Sequence, residues 1–353
     1  MTLIAGWRRA LADLSPANFG LVMATGIVAL AASMVGWAWI ARALFALNVL
    51  QYAVLALLYV LRALLHPRRF FGDMGDHAVG PGYFTVVAAT GVLASQYLVQ
   101  GGNVATGWLL WGLTLAFWVV FTYAIFFAFI VRRDKPPLGS GISGSWLLAV
   151  VATQAVAVVS ALLVPDTAPA LRPALNLLAL ATWLCAGVLY LWLMTLIFYR
   201  LMFLRLAPDE LIPSYWINMG ALAISTLAGA LLVQEAAQAP WLTTMLPFVK
   251  GYTLLYWAAG TWWIPVLLLL GVWRHGVRRY PLRYEPLYWG LVFPLGMYAA
   301  CTWQMDRALD IGLLGGVART FLVAGLLAWT LAFAGLLRRA LGTLWGSTVQ
   351  VER

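Results

Sequence analysis

A succession of long apolar segments constrains the fold of this 353-residue chain more than any other feature. A run of about 20 apolar residues is long enough to cross the hydrocarbon core of a membrane as an α-helix. The short alternating segments typical of a membrane β-barrel are missing from the sequence. The pattern therefore predicts an all-α membrane protein with ten transmembrane helices, at about 17–38, 42–65, 82–100, 104–131, 144–164, 172–204, 214–235, 243–273, 285–305 and 311–338.

The connections between these segments are short and contain no low-complexity linker. Because 63% of the residues are hydrophobic and only 10% are charged, little sequence is left for a soluble domain. We therefore predict a single transmembrane domain over 1–353, with short tails at about 1–14 and 340–353. The first residues, MTLIAGWRRALADLSPANFG, lack an apolar core followed by a small-residue cleavage site. We expect the first span to remain in the mature protein.

The basic residues are distributed unequally between the two sides of the predicted bundle. Of the 22 Lys and Arg residues, 17 fall on the side that holds both termini. They are Arg8, Arg9, Arg62, Arg68, Arg69, Arg132, Arg133, Lys135, Arg200, Arg205, Arg274, Arg278, Arg279, Arg283, Arg338, Arg339 and Arg353. By the positive-inside rule both termini are cytoplasmic, in a cell inner (plasma) membrane. This topology also explains the net charge of +10, so we predict no nucleic-acid partner.

An internal repeat organises the spans into pairs. Every odd-numbered span opens with Pro or Gly, continues with an aromatic residue, and then becomes rich in small residues. The aligned rings are Phe19, Phe84, Trp146, Trp216 and Trp289, at intervals of about 60 to 75 residues. A period of this length predicts five helical hairpins. The even-numbered spans are longer and richer in Leu, Trp and Phe, as in LLWGLTLAFWVVFTYAIFFAFIV.

The contrast between the two helices of each hairpin predicts their placement. Small residues allow helices to approach closely or leave an open lumen, whereas bulky residues suit contact with lipid. We therefore expect an inner ring of five odd helices around a central pore, inside an outer ring of even helices. The alternative is tight packing of the small residues with no lumen.

The stretch WGLVFPLGMYAA, which begins at Trp289, is a candidate pore closure. Pro294 cannot donate a backbone N–H and crowds the preceding turn, so a kink or loosening is expected there. Phe293 places a large ring at this point, near the middle of the membrane. The residues predicted at its depth in the other odd spans are Met23, Ala88, Val150 and Gly220.

The odd spans carry neutral polar groups at their centres. We expect the pore to be lined by Met23, Thr25, Gly26, Ala88, Thr90, Gly91, Val150, Thr153, Asn218, Gly220 and Gly296. No carboxylate or histidine falls at mid-depth, which argues against cation permeation and weakens a proton-driven mechanism. Neutral donors suit a weakly bound anion. Lys250 and Arg319, near the opposite face, could attract anions to the pore mouth or extend to the lipid headgroups.

The chemistry of an enzyme or a cofactor carrier is not indicated. His66, His77 and His275 lie in or beside loops and share no inner helix face, so neither a haem nor a metal site is predicted. The loop FGDMGDH could bind a metal but fits a solvated turn better. Cys185 and Cys301 lie in apolar spans, which does not suggest a disulfide framework. We expect no cofactor and no enzymatic activity.

The stretches NFGLVMATGIV, GYFTVVAATGVL, SWLLAVVATQ and WGLVFPLGMYA resemble the tellurite-resistance/dicarboxylate transporter (TDT) family, which includes bacterial TehA and plant slow-type anion channels. The resemblance covers about residues 15–340. It implies a quasi-five-fold bundle of ten helices, usually a homotrimer, with a pore in each subunit closed by a phenylalanine of the ninth helix, here Phe293. Plant members also carry long tails with phosphorylation sites; this chain does not, so kinase gating is not predicted.

The sequence thus favours an anion channel or facilitative transporter that passes small inorganic or organic anions across the bilayer. The alternative within the family is a proton-coupled exporter of weak-acid anions such as sulfite, tellurite or a C4-dicarboxylate such as malate. A membrane enzyme or cofactor carrier is the hypothesis from a different class, and an absorbance spectrum of the purified protein would test it.

Overall fold

The structure, a computed structural model, describes residues 2–282 and 284–349. Arg283 and Arg353, which belong to the predicted basic side, lie outside the described residues, as do Met1 and 350–353 of the predicted tails. Every regular element in the described part is helical, so the predicted all-α class is confirmed. Nine of the described helices are long and apolar enough to cross a membrane.

Fourteen α-helices make up the described chain. In chain order they are α1 (Thr2–Ala12), α2 (Gly20–Val35), α3 (Ala38–Leu65), α4 (Pro67–Met74), α5 (Phe84–Val99), α6 (Val104–Val131), α7 (Leu138–Gly141), α8 (Leu148–Leu163), α9 (Arg172–Phe203), α10 (Ile217–Glu235), α11 (Pro240–Thr244), α12 (Leu246–Val272), α13 (Trp289–Ala308) and α14 (Gly315–Val349).

Five of these helices, α2, α5, α8, α10 and α13, each follow directly on a short 3₁₀ turn. The turns are Pro16–Phe19, Gly80–Tyr83, Gly144–Leu147, Pro213–Trp216 and Pro286–Tyr288. Four of them have proline in a first position, where its missing N–H leaves no bond unmade. The Pro and Gly residues that punctuate the sequence repeat therefore mark where the inner helices begin.

Burial separates the inner helices from the outer ones. The spans that contain α2, α5, α8 and α10 are 72% to 89% buried, whereas α3, α6, α12 and α14 are only 17% to 22% buried. Contacts run from α2 to α5, α8, α10 and α13 in turn, and α13 packs back against α2, so the five inner helices close a ring. The outer helices expose Leu, Trp and Phe to the surroundings. Side-chain size thus predicted the inner and outer placement.

The fifth inner helix, α13, differs from its four equivalents. It coincides with the predicted span 285–305 but is not among the nine helices apolar enough to cross a membrane alone. The helix continues through Pro294 rather than ending there. Gly220 of α10 leaves room for the pyrrolidine ring of Pro294, because a Cβ atom at Gly220 would lie 2.7 Å from Cγ of Pro294. Since Pro294 has no N–H, the carbonyl of Gly290 loses its helical partner.

A buried arginine joins the first two short helices to the ring. Arg62 of α3 is 2% exposed and pairs with Asp73 of α4. Its Nε donates to the carbonyl of Ala12 at the end of α1 (3.2 Å), and its Nη1 donates to the hydroxyl of Tyr83 (3.3 Å). The Tyr83 hydroxyl in turn donates to the carbonyl of Phe70 (2.6 Å). One guanidinium therefore fixes α1 and α4 beside the turn that begins α5.

Candidate functional site: two cavities inside the inner ring

A cavity of about 310 Å³ lies at the N-terminal ends of the five inner helices. We call it the front cavity. Each inner helix or its preceding turn contributes to the wall, for example Gly20, Thr85, Leu148, Ile217 and Gly290. Because all five helices begin around one cavity, they run in the same direction through the ring.

A second cavity of about 140 Å³, the rear cavity, lies further along the same helices. Its wall again takes at least one residue from each of them. These residues are Ile27, Gly91, Ala155, Ile224 and Met297. The two cavities therefore lie in sequence inside the ring.

A closed layer separates the two cavities. Three residues after the front-cavity residues Gly20, Thr85, Leu148, Ile217 and Gly290 lie Met23, Ala88, Val151, Gly220 and Phe293, all of them buried. Phe293 and Met23 also border the front cavity, and each is only 1% exposed. Phe293 supplies the only aromatic ring of this layer.

Four of these five residues are the ones predicted at this depth. In α8 the residue three positions after Leu148 is Val151, next to the predicted Val150. The Trp146 ring, which was used for the alignment, lies one residue before the end of its 3₁₀ turn, whereas Phe19 and Trp216 lie at the ends of theirs.

The predicted pore threonines contact outer helices. Trp329 of α14 donates its indole N–H to the Thr25 hydroxyl (2.9 Å), and Trp118 of α6 donates to Thr153 (2.9 Å). An indole N–H in a membrane needs an acceptor within the protein, and these hydroxyls supply it.

The other three junctions between outer and inner helices carry the same kind of bond. The pairs are Tyr52 of α3 with the Thr90 hydroxyl (2.9 Å), Trp183 of α9 with the Ser225 carbonyl (2.8 Å) and Trp257 of α12 with the Thr302 hydroxyl (3.0 Å). Each of the five inner helices is therefore held by at least one aromatic donor from an outer helix.

The remaining predicted lining residues have different surroundings. A Cβ atom at Gly26 would collide with Val92, and one at Gly296 would lie 2.9 Å from Cγ2 of Val28, so both glycines allow close helix packing. The amide of Asn218 is buried and has no hydrogen-bond partner among the described residues. Lys250 and Arg319 lie exposed on α12 and α14 and border neither cavity. Of the predicted set, Met23 and Gly91 border a cavity.

The electrostatic setting of the front cavity favours negative charge. Helix N-termini carry partial positive charge, and five of them converge here. Ser214, which is 2% exposed, borders the cavity and its Oγ has no hydrogen-bond partner within the described chain. No Asp, Glu, Lys or Arg occurs among the described residues that line either cavity. A small anion could therefore bind here without competition from a resident carboxylate.

Residues 13–337 match the model of a family described as voltage-dependent anion channel. The chain belongs to this family. Its members are channels and transporters rather than enzymes, in agreement with the resemblance seen in the sequence.

Relatives of this anion-channel family member occur in several lineages. An uncharacterized membrane protein of Mycobacterium tuberculosis is 37% identical over 44% of this chain and 79% of its own length. An uncharacterized transporter of Methanocaldococcus jannaschii is 23% identical over 81% of both chains. A sulfite efflux pump of Trichophyton rubrum is 25% identical over 92% of this chain and 90% of its own.

The acidic loop of this family member has structural partners for both of its carboxylates. Asp73 pairs with Arg62, and Oδ1 of Asp76 accepts from the backbone N–H of Ala78 (2.8 Å). The His77 ring stacks on Phe129 at 4.3 Å. Partial burial, together with the nearby positive charges of Arg132 and Lys135, lowers the pKa of His77, although Asp76 opposes this effect. The loop thus forms a turn at the rim of the front cavity.

The bond between Trp118 and Thr153 can be measured directly. We expect Trp118→Phe and Thr153→Val each to lower the thermal midpoint of the purified protein, and the double variant to lower it by less than the sum. The coupling should be about 1 kcal/mol, as for one buried hydrogen bond. Trp192→Phe is the control, because Trp192 is 67% exposed on α9. Strict additivity of the two changes would contradict the bond.

Proposed function

We propose that this protein conducts small anions through the path formed by the front and rear cavities, and that Phe293 closes the path. The observation that carries the proposal is the position of the ring. It lies in the buried layer between two cavities that are both lined by all five inner helices.

The charge distribution along the two cavities favours the permeation of anions over that of cations. A permeating cation is normally stabilised by carboxylates or by carbonyl oxygens along its path. The described lining has no carboxylate, and the converging helix ends at the front cavity have the opposite polarity. An anion would enter the front cavity near Ser214 and Thr85 with part of its water shell.

The layer at Phe293 supports a closed resting state. Met23, Ala88, Val151 and Phe293 present only apolar groups, and a narrow apolar constriction excludes water and therefore ions. Conduction requires the Phe293 ring to leave the axis. In our proposal the front cavity faces the cytoplasm of a cell whose inner membrane holds the protein as a homotrimer, with one such path in each subunit.

Coupled export of weak-acid anions is the second candidate. It is favoured by the relative that is named as a sulfite efflux pump. Such an exporter would carry sulfite, tellurite or a dicarboxylate such as malate, and it would need a group that binds and releases protons. The described linings contain no Asp, Glu or His, which favours the uncoupled mechanism.

Flux measurements on the purified protein in liposomes test the proposal. We expect chloride, nitrate or sulfite to equilibrate down its gradient faster than in protein-free liposomes, with no matching potassium flux. Equal potassium flux would contradict an anion path. Accumulation of the anion against its gradient when only a pH gradient is imposed would identify the coupled exporter instead.

A further inference from the structure

Among the residues that the structure describes, one buried arginine lacks the carboxylate partner that two others have. Arg62, Arg200 and Arg274 are each at most 4% exposed. Arg62 pairs with Asp73, and Arg200 lies 3.7 Å from a carboxylate oxygen of Glu210. No ion pair involves Arg274 within the described residues, and its Nε has no hydrogen-bond partner there. A buried guanidinium without an anion is unfavourable, so a ligand is expected to supply one.

The local backbone turns Arg274 inward. Residues Trp273–Val277 continue α12 as a π-helical turn, a feature that often marks functional sites. Arg274 is buried in this turn and its guanidinium carbon lies 4.3 Å from the centre of the Tyr280 ring. Arg278 and Arg279, only a few residues later, are exposed. The turn thus selects one arginine of a basic segment for the interior.

Arg274 borders a cavity of about 170 Å³ between α12, α13 and the 3₁₀ turn that precedes α10. We call it the side cavity. Its walls are mostly apolar and include Leu270 and Leu291. Three of its residues, Leu282, Tyr288 and Leu291, also line a groove of about 410 Å³ between α13 and α14. The site therefore has a positively charged pocket that adjoins a longer apolar groove.

The groove opens sideways from the bundle. Leu282 and Leu331 on its walls are each 75% exposed, and α14 belongs to the outer ring that faces lipid. A ligand that reaches Arg274 by this route comes from the bilayer rather than from water. It needs an anionic group for the guanidinium and an apolar chain for the groove.

We propose that this is a binding site for an anionic phospholipid, whose phosphate pairs with Arg274 and whose acyl chain occupies the groove between α13 and α14. A planar guanidinium is well suited to bind phosphate with two parallel hydrogen bonds. The site lies beside the gate, because Leu291 and Val292 of its walls directly precede Phe293. The bound lipid contacts the same helix that closes the path.

Lipid binding to the purified full-length protein tests this site. The protein is stripped of lipid in neutral detergent and titrated with phosphatidylglycerol, with bound lipid detected by native mass spectrometry. Arg274→Gln should bind about tenfold more weakly than the wild type. Arg278→Gln is the matched control, since it removes the same charge from an exposed neighbour, and it should bind as the wild type does.

A second variant keeps the proposal testable if Arg274→Gln does not fold. Leu291→Trp fills the junction between the side cavity and the groove and leaves the guanidinium intact, so it should also weaken binding. Wild-type binding by both variants would overturn the site. Equally tight binding of phosphatidylcholine, or equally tight binding of inorganic phosphate alone, would overturn the anionic-lipid assignment. None of these readouts depends on anion flux, so failure of the proposed conduction would be recognised separately.

Discussion

Phe293→Ala is expected to raise anion flux through the protein in liposomes by a large factor. The ring lies between the front and rear cavities, and its neighbours in that layer are Met23, an alanine, a valine and a glycine. Removing it joins the two cavities and allows water to enter the constriction. A barrier lowered by only about 1.4 kcal/mol raises a rate about tenfold, and the loss of a whole ring should exceed that.

A matched variant separates opening of the gate from general loosening. Phe84 is also a buried phenylalanine of an inner helix, 2% exposed, but it packs towards Phe126 of α6 and borders neither cavity. Phe84→Ala should lower stability, by about 3–5 kcal/mol as in other cores, without raising the flux. An unchanged flux in Phe293→Ala, or an equal increase in Phe84→Ala, would remove Phe293 from the gate.

A large loss of stability is expected from Asp73→Ala. This change leaves Arg62 buried at 2% exposure without its carboxylate, next to the carbonyl of Ala12 and the hydroxyl of Tyr83. Breaking a buried ion pair by removing one partner typically costs about 3–5 kcal/mol. The measurement is the thermal or denaturant-induced unfolding of the purified protein in detergent.

An exposed pair in the same region is the control. Arg69 and Asp13 also form an ion pair, but their side chains are 59% and 63% exposed. Asp13→Ala removes the same chemical group from a solvated site, so its effect should stay below about 1 kcal/mol. Similar losses of stability in Asp73→Ala and Asp13→Ala would show that the burial of Arg62 does not determine how much its ion pair stabilises the fold.

Much of the architecture could be predicted from residue size and spacing. The Pro and Gly punctuation marked the start of every inner helix, and the small residues identified which helices pack inside. The direction of individual side chains could not be predicted in this way. Thr25 meets Trp329, a residue 304 positions away, and no local pattern fixes that contact. The indole groups of the outer helices, each needing a buried acceptor, were the available signal.

The burial of Arg274 is a second feature that could not be predicted from the sequence. It was one of the 17 basic residues that set the orientation, and composition treats all of them alike. Only the π-helical turn distinguishes it from Arg278, because that turn buries one side chain and leaves the other exposed. Hydrophobic periodicity carries no information about a local change from α to π geometry. A binding site that depends on such a turn becomes visible only in three dimensions.

The five aromatic bonds between outer and inner helices also restrict how the proposed path can open. Each inner helix is tied to an outer helix of a neighbouring hairpin, by Trp329, Tyr52, Trp118, Trp183 or Trp257. If the path opened by widening the whole ring of inner helices, all five bonds would be strained at once. The lipid bilayer offers these donors no replacement hydrogen-bond acceptors. Rotation of one side chain would leave them intact. The architecture therefore favours opening of the proposed path by movement of the Phe293 side chain alone, while the ring of inner helices keeps its diameter.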